Sequence, residues 1–477
     1  MFTKEFKEFF KNNKEEARKR RQWGRYIHRV NIRMIESNLS SNAKILAIGP
    51  WVSSLFSSSR MFEGVCIDPY FEIAEVEAAP NYRVLTSFEQ LKDIDEQFDY
   101  IVLSFSIGMV EDALDLFISL RRFCSPRTRL ITTYFSRAWQ PFIKLGEAMR
   151  LKLKMPEMNW LSLQEIENLM FLADFQIVRR SMFCLAPLYI PFISDFINKF
   201  VSTLPLINMA GVLTVEVGRA VNLPEMNDCR RYPKVSVVIP ARNEGGNIPE
   251  IVRRIPTFAG GQEIIFVEGG STDNTREAIE QVIKDNMQLD IVFLTQEGKG
   301  KKNAVEKGFG AAKGEIFIIL DADITVPPES LPRFVDAITS GKGEFINGNR
   351  LVYPMRGKAM RFFNLLGNFF FGQVFSYLLD QRVPDTLCGT KILKKDNYFR
   401  ILANRSYFGE FDPFGDFDLL FGAAYLNLKI IDMPVRYEER VYGDTNISRW
   451  KDGVTLLKMA AIGLFKLKFN WLSMRRK

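Results

Sequence analysis

Each half of this chain strings together short apolar runs ending in small or acidic residues. A polar seam, NLPEMNDCRRYP at Asn222–Pro233, separates the two series. The first series is KILAIG (Lys44–Gly49), GVCID (Gly64–Asp68), YIVLSF (Tyr100–Phe105) and LITTY (Leu130–Tyr134). The second is KVSVVIP (Lys234–Pro240), EIIFVE (Glu263–Glu268), IVFLTQ (Ile291–Gln296) and EIFIILDAD (Glu315–Asp323). Runs this short, spaced by helix-length stretches, read as strands alternating with helices around mostly parallel sheets. A length of 477 residues also exceeds one ordinary core. We therefore expect two α/β/α domains, at 34–222 and 234–450, joined by a linker at 223–233.

Composition removes several function classes. The one histidine, His28, excludes a histidine triad or a multi-histidine metal centre. The five cysteines (Cys66, Cys124, Cys184, Cys229, Cys388) have no C-x-x-C spacing and read as reduced thiols of a cytoplasmic protein. The net charge of +8 is local, because residues 1–33 hold eleven Lys and Arg against four Glu. That stretch reads as a basic helix able to cap the fold or to meet anionic lipid. No nucleic-acid-binding module accompanies it. The first residues lack an apolar core, so no signal peptide is expected. The uncharged run Phe362–Leu379 contains Asn364, Asn368, Gln373 and Ser376, which suits an interface better than a span of ~30 Å. Lysines 458, 466 and 468 likewise make residues 451–477 a basic amphipathic helix for a membrane surface.

The glycine after the first run and the acidic residue ending the second, Gly49 and Asp68, suggest a Rossmann-like nucleoside layout. With the stretch FDYIVLSFSIGMVED (Phe98–Asp112), residues 41–220 resemble class I S-adenosylmethionine-dependent methyltransferases. The resemblance implies that Asp68 would hold the cofactor ribose and Gly49 would open the cofactor loop. The loop itself departs from G-x-G-x-G: it reads Gly49-Pro50-Trp51-Val52-Ser53, where bulk and a missing N–H obstruct approach. S-adenosylmethionine is therefore not expected, and the domain reads as a degenerate scaffold or regulatory unit.

In the second half, EIFIILDAD is apolar enough to be a central strand, buried on both faces. In such a strand Asp321 and Asp323, spaced i and i+2, would share a face at the carboxyl edge of the sheet, where ligands bind. Two hard carboxylates there suit Mg²⁺ or Mn²⁺ completed by phosphate oxygens. The ordered series IPARNE, VEGGSTDNT, GKKNAVEKGFGAAKGE, LDAD, DTLCGTK, GDFDLL and RVYGDTNISRW resembles family 2 glycosyltransferases of the GT-A fold. Within that family, DTLCGTK and the late motif are most similar to enzymes that glycosylate dolichyl or polyprenyl phosphate.

The resemblance implies a metal-dependent, inverting hexosyltransferase using a nucleotide-diphosphate sugar. Pro240, Arg242, Glu244, Glu268, Lys301 and Asp321 would bind the nucleotide, and Asp321 with Asp323 the metal. Glu268 and Gly269 stand where the family carries aspartates, which leaves UDP and GDP both open. Arg440 would share the leaving diphosphate's charge. Asp416 would be the base for a hydroxyl acceptor, or an orienting group for a phosphate, which needs no base. Arg350, Arg361 and Asp385 would meet a polyprenyl-phosphate acceptor at the inner face of the membrane. A soluble hydroxyl acceptor, a bifunctional methyl- and glycosyltransferase, and a noncatalytic membrane scaffold are the competing readings.

Overall fold

The computed structural model describes residues 2–13, 21–57, 62–70, 81–85, 87–149, 154–223, 232–298, 300–353, 362–408, 415–440, 442 and 449–469. The chain divides into two compact units, Met1–Asn227 with Lys468–Lys477, and Asp228–Leu467.

The first unit is built on a seven-stranded sheet in the order β3-β2-β1-β4-β5-β7-β6. Its strands are β1 (Lys44–Ile48), β2 (Glu63–Ile67), β3 (Tyr82–Val84), β4 (Tyr100–Ser104), β5 (Arg129–Phe135), β6 (Phe175–Phe183) and β7 (Leu213–Ala220). The apolar runs of the sequence are the parallel centre, and every residue of β4 is buried, as helices on both faces require. β6 and β7 depart from the parallel expectation. β7 pairs antiparallel with both β5 and β6. Their sequences hid them, because β7 carries Glu216 and Arg219 fully inside the fold. Glu216 is held there by an ion pair to Arg180 of β6.

The second unit has its own seven-stranded sheet, in the order β10-β9-β8-β11-β13-β12-β14. These are β8 (Val235–Ala241), β9 (Gln262–Glu268), β10 (Ile291–Thr295), β11 (Ile316–Ile319), β12 (Phe345–Asn349), β13 (Lys391–Lys394) and β14 (Ile430–Pro434). β13 runs antiparallel to β11 and β12. One face is covered by an aromatic layer that includes Phe309 stacked on Phe317 at 4.8 Å, and the other by Val237, Ile239, Ile318 and Phe334. The run Phe362–Leu379 is a single helix that buries Phe371, Phe375 and Leu378 and exposes Leu366, Phe369 and Phe370. Among the described residues, no helix is long and apolar enough to cross a membrane.

Each sheet reverses its winding once, between β1 and β4 and between β8 and β11. The crevice outside the carboxyl ends of strands at such a reversal is where doubly wound sheets bind ligands. Asp321 and Asp323 follow β11 at the second reversal, and Asp68 follows β2, the strand beside β1 at the first.

Candidate functional site

In the second unit, β11 stops at Ile319, earlier than the sequence suggests, and the chain leaves the ladder after Leu320 donates to Val238 O at 3.0 Å. Asp321 and Asp323 therefore do not share a strand face. A turn carries them instead: Asp323 Oδ1 accepts from Thr325 N at 3.2 Å and from Thr325 Oγ1 at 2.8 Å. Ala322 between them is buried. The two carboxylates thus face separate sets of cations.

Asp321 Oδ1 lies 2.6 Å from Lys301 Nζ, at the start of the helix Lys301–Ala311. Burial pushes the Asp321 carboxyl up, but Lys301, with Lys391 and Arg350, outweighs it and holds it below its ordinary value. Burial likewise opposes the Lys301 charge, and Asp321 and Asp416 overcome it. The glycine of DTLCGTK is explained here. A Cβ at Gly389 would come 1.8 Å from Asp321 Oδ2 and 2.5 Å from Lys301 Nζ, so no side chain fits.

The same lysine lies 3.8 Å from Asp416 Oδ2, at the first turn of the helix Asp416–Tyr425. Asp416 Oδ1 is 3.2 Å from the ammonium of Lys391, a fully buried side chain. Asp418 faces elsewhere, 2.9 Å from both Lys302 and Arg405. Lys391 was not singled out as a site residue. Its sequence position at the end of DTLCGTK gives no sign of burial, since Lys394 at the other end of the same strand is exposed.

Asp323 Oδ2 accepts from Arg440 Nη2 at 2.8 Å, and Arg440 Nη1 reaches Glu244 Oε1 at 3.3 Å. Burial raises the Glu244 carboxyl to about 7, against the opposing pull of Arg440. Pro240 and Arg242 sit on the same edge, where β8 ends, with Arg242 exposed. Glu268 ends β9 and is buried, accepting from Ser271 N. Asp273, one residue before the N-cap Asn274, accepts from Thr275 N at 3.0 Å and also from Gly245 N and Tyr442 OH.

Arg350 and Asp385 meet each other. The guanidinium grips the carboxylate with Nε and Nη2, both at 2.8 Å, and the Arg350 N–H adds a third bond at 2.9 Å. Asp385 is completely buried. Burial pushes its carboxyl up, and Arg350 more than reverses this. The Arg350 guanidinium also lies over the Tyr437 ring at 5.0 Å. Arg361 lies outside the described residues.

In the first unit, a Cβ at Gly49 would fall 2.0 Å from Ser104 O, and its φ of +132° favours glycine as well. Asp68 is enclosed by its own loop. Oδ1 accepts from Trp51 N at 3.0 Å and Tyr70 N at 2.9 Å. Oδ2 accepts from Ser53 N at 3.0 Å and Ser53 Oγ at 2.6 Å. Trp51 stacks on Tyr70 at 5.0 Å, and His28 lies between Trp51 and Phe105 at 6.0 and 5.6 Å. A ribose would need acceptor positions on Asp68 that these four donors already use. The residues present do not fit the cofactor of the fold.

Comparison with known proteins agrees with the two sheets. The family described as Methyltransferase domain matches residues 21–180, and Glycosyl transferase family 2 matches residues 236–397. A dolichol-phosphate mannosyltransferase of Pyrococcus furiosus is 37% identical over 121 residues, 25% of this chain and 34% of that protein. An undecaprenyl-phosphate 4-deoxy-4-formamido-L-arabinose transferase of Salmonella choleraesuis is 33% identical over 147 residues, 30% of this chain and 45% of that protein. The chain thus spans less than half the length of these relatives. A glucosyl-3-phosphoglycerate synthase structure from Mycobacterium tuberculosis has 18% identity and a TM-score of 0.38, covering 51% of this chain and 83% of its own. Residues 21–180 of the first unit thus match a methyltransferase domain, and residues 236–397 of the second match family 2 glycosyltransferases.

Proposed function

We propose that the second unit transfers a sugar from a nucleotide-diphosphate donor to a polyprenyl phosphate, with inversion at the anomeric carbon. The observation that carries this reading is the convergence of Asp321, Asp323, Lys301, Asp416, Lys391 and Arg440 at the β8/β11 reversal. The relatives that act on dolichol and undecaprenyl phosphates support the acceptor class.

Charge balance supports a divalent cation. Lys301, Lys391, Arg350 and Arg440 are already paired with Asp321, Asp416, Asp385 and Asp323. An arriving diphosphate therefore finds little net positive charge, and Mg²⁺ or Mn²⁺ would supply it. Asp321 and Asp323 would hold that ion, in the manner of sites that use one or two carboxylates and complete the shell with phosphates and water. When bound, it would stabilise charge on the leaving diphosphate. Among the described residues no cluster of three or more His, Cys, Asp or Glu side chains forms a metal cage, which fits a site completed by the donor.

The remaining work falls to the chain. An acceptor phosphate oxygen forms the new bond to the anomeric carbon as the bond to the donor's β-phosphate oxygen breaks, releasing the nucleoside diphosphate. Arg440, poised on the Asp323 carboxylate, shares the developing charge. Pro240, Arg242, Glu244 and Glu268 line the nucleotide end, and the base, uracil or guanine, is open. Asp416 has an ammonium group against each oxygen, one of them on a buried lysine. We read it as the group that orients Lys301 and Lys391, and this favours an ionised phosphate acceptor over a hydroxyl. Arg350 and Asp385 hold the acceptor side as a preformed pair, and Arg361 would add charge there. The first unit acts as a noncatalytic partner domain, and the protein works peripherally at the cytoplasmic membrane face.

The test is transfer of labelled sugar from UDP- and GDP-sugars to short polyprenyl phosphates, with Mn²⁺ and with EDTA. Metal-dependent transfer to the lipid phosphate is expected. Transfer only to soluble hydroxyl acceptors, lost in Asp416→Asn, would replace this reading.

A further inference from the structure

One segment of the first unit is turned inside out. Residues 184–212 connect the antiparallel strands β6 and β7. Three of the polar side chains of this connection, Ser194, Asn198 and Ser202, point inward. Ser194, fully buried, accepts from Ile190 N at 2.8 Å and donates to Leu188 O at 2.6 Å. Asn198, also fully buried, exchanges two 2.9 Å bonds with the Ala186 backbone. The apolar side chains point outward: Phe192 is 90% exposed, Leu206 80%, Met209 67% and Phe196 58%. Phe192 and Leu206 have φ values of 64° and 67°, a backbone region that bulky apolar residues rarely adopt. Water-facing loops have the opposite arrangement, and a contiguous apolar patch marks a contact surface.

A basic helix is fastened to the same segment. Tyr26, on the helix Arg21–Glu36, donates its hydroxyl to Asp195 Oδ1 and accepts from Asn198 Nδ2, both at 3.0 Å. Its ring packs against Tyr189 at 5.2 Å. Asp195 is the one acid between residues 184 and 212, and Tyr26 takes it. The helix itself contributes Arg21, Arg25, Arg29 and Arg33 against Glu36. Its sequence lies mostly in the stretch 1–33, which has eleven Lys and Arg against four Glu.

We propose that the 184–212 connection, with the basic helix fastened to it, is the surface by which this protein lies on an anionic phospholipid bilayer. A purely apolar protein groove would accept the phenylalanines but leave the cations without a partner. A bilayer takes both: the apolar tips enter the boundary of headgroups and acyl chains, and the cations face lipid phosphates. Two such weak signals together give lasting attachment. This surface stands on the first unit alone and does not depend on the glycosyl-transfer reading.

The experiment is flotation of the full chain with phosphatidylcholine vesicles containing phosphatidylglycerol, and with phosphatidylcholine alone. The wild-type protein should float with the anionic vesicles, less so in high salt or without phosphatidylglycerol. Phe192→Asp with Leu206→Asp should lower the partition coefficient at least about tenfold, since two large apolar side chains leave the lipid. The thermal midpoint should not fall, because both side chains face solvent and Asp is no bulkier than the residues it replaces. The proposal is overturned if the wild-type chain stays soluble beside anionic vesicles, or if the double variant floats as well as wild type. It is also overturned if light scattering shows a dimer that the double variant dissolves, which would assign the surface to a second copy.

Discussion

The two winding reversals place a carboxylate at the same kind of position and use it in opposite ways. At β1/β4, Asp68 is satisfied by the backbone N–H groups of Trp51, Ser53 and Tyr70 and by the Ser53 hydroxyl. At β8/β11, Thr325 of the same turn holds Asp323 Oδ1. Asp321 and the other Asp323 oxygen are satisfied by Lys301 and Arg440, side chains that reach in from distant segments. Backbone donors cannot withdraw without refolding their loop. Long cationic side chains can move aside by rotamer changes when a ligand arrives. On this contrast we propose that the first crevice is structural and the second catalytic. One architecture serves both, which is why function has to be read from the site.

The largest expected effect falls in the open crevice. Asp323→Ala should abolish metal-dependent nucleotide binding and lower sugar transfer roughly a hundredfold to a thousandfold. The variant should still fold, with a stability loss of about 1–3 kcal/mol from the Thr325 turn bonds and the Arg440 pair. A thermal-shift series of UDP, GDP and their sugars with and without Mn²⁺ checks this. Equal nucleotide affinity in EDTA would show that the two crevices differ less than their geometry suggests.

Next in size is the Arg350–Asp385 pair, which sharpens the comparison because it is the part of the second site built like the first. Arg350→Met leaves a completely buried Asp385 without its bidentate partner. A loss of about 3–5 kcal/mol is expected for breaking such a pair. Urea unfolding of the single variant and of Arg350→Met with Asp385→Leu tests it, the double variant recovering much of the loss. A neutral single variant would mean that the pair is a movable ligand contact.

How much of this was legible in the sequence follows the same division. The central strands and the ordered motifs were readable, because apolar runs and glycines carry local signals. Asp68, Asp321 and Asp323 are visible in the sequence as acids ending apolar runs, but their surroundings are not. The strand argument for Asp321 and Asp323 failed because β11 ends at Ile319, and Thr325, only two residues beyond Asp323, fixes the turn. Lys391 was overlooked because its partner, Asp416, lies in a different segment. β7 escaped because Glu216 and Arg219 make a buried strand look exposed. Contacts between segments distant in sequence leave no local pattern.

In the closed crevice, Asp68→Asn should cost stability and nothing else. The amide would present N–H groups to N–H donors, leaving a buried mismatch worth about 1–3 kcal/mol. Sugar transfer should remain at the wild-type level, and calorimetry with S-adenosylmethionine should be silent for the wild-type chain. Micromolar cofactor binding that disappears in Asp68→Asn would reopen the first crevice and revive a bifunctional enzyme.

The last comparison is with a carboxylate near the second site that has neither kind of full satisfaction. Asp432, on β14, accepts from Asn347 Nδ2 at 3.1 Å. Burial raises its carboxyl to about 7, with Asp385 adding to the rise and the Asn347 bond opposing it. The folded state therefore holds this proton more tightly than the unfolded chain does. Its contribution to stability is complete below the ordinary value of 3.8 and is lost as pH rises through about 7. Asp432→Asn, neutral throughout, should flatten that slope. Unfolding midpoints measured across this window should converge at the acid end, and the variant should be the more stable at pH values above the folded pKa. Parallel curves for variant and wild type would show that Asp432 is satisfied by contacts as complete as those around Asp68.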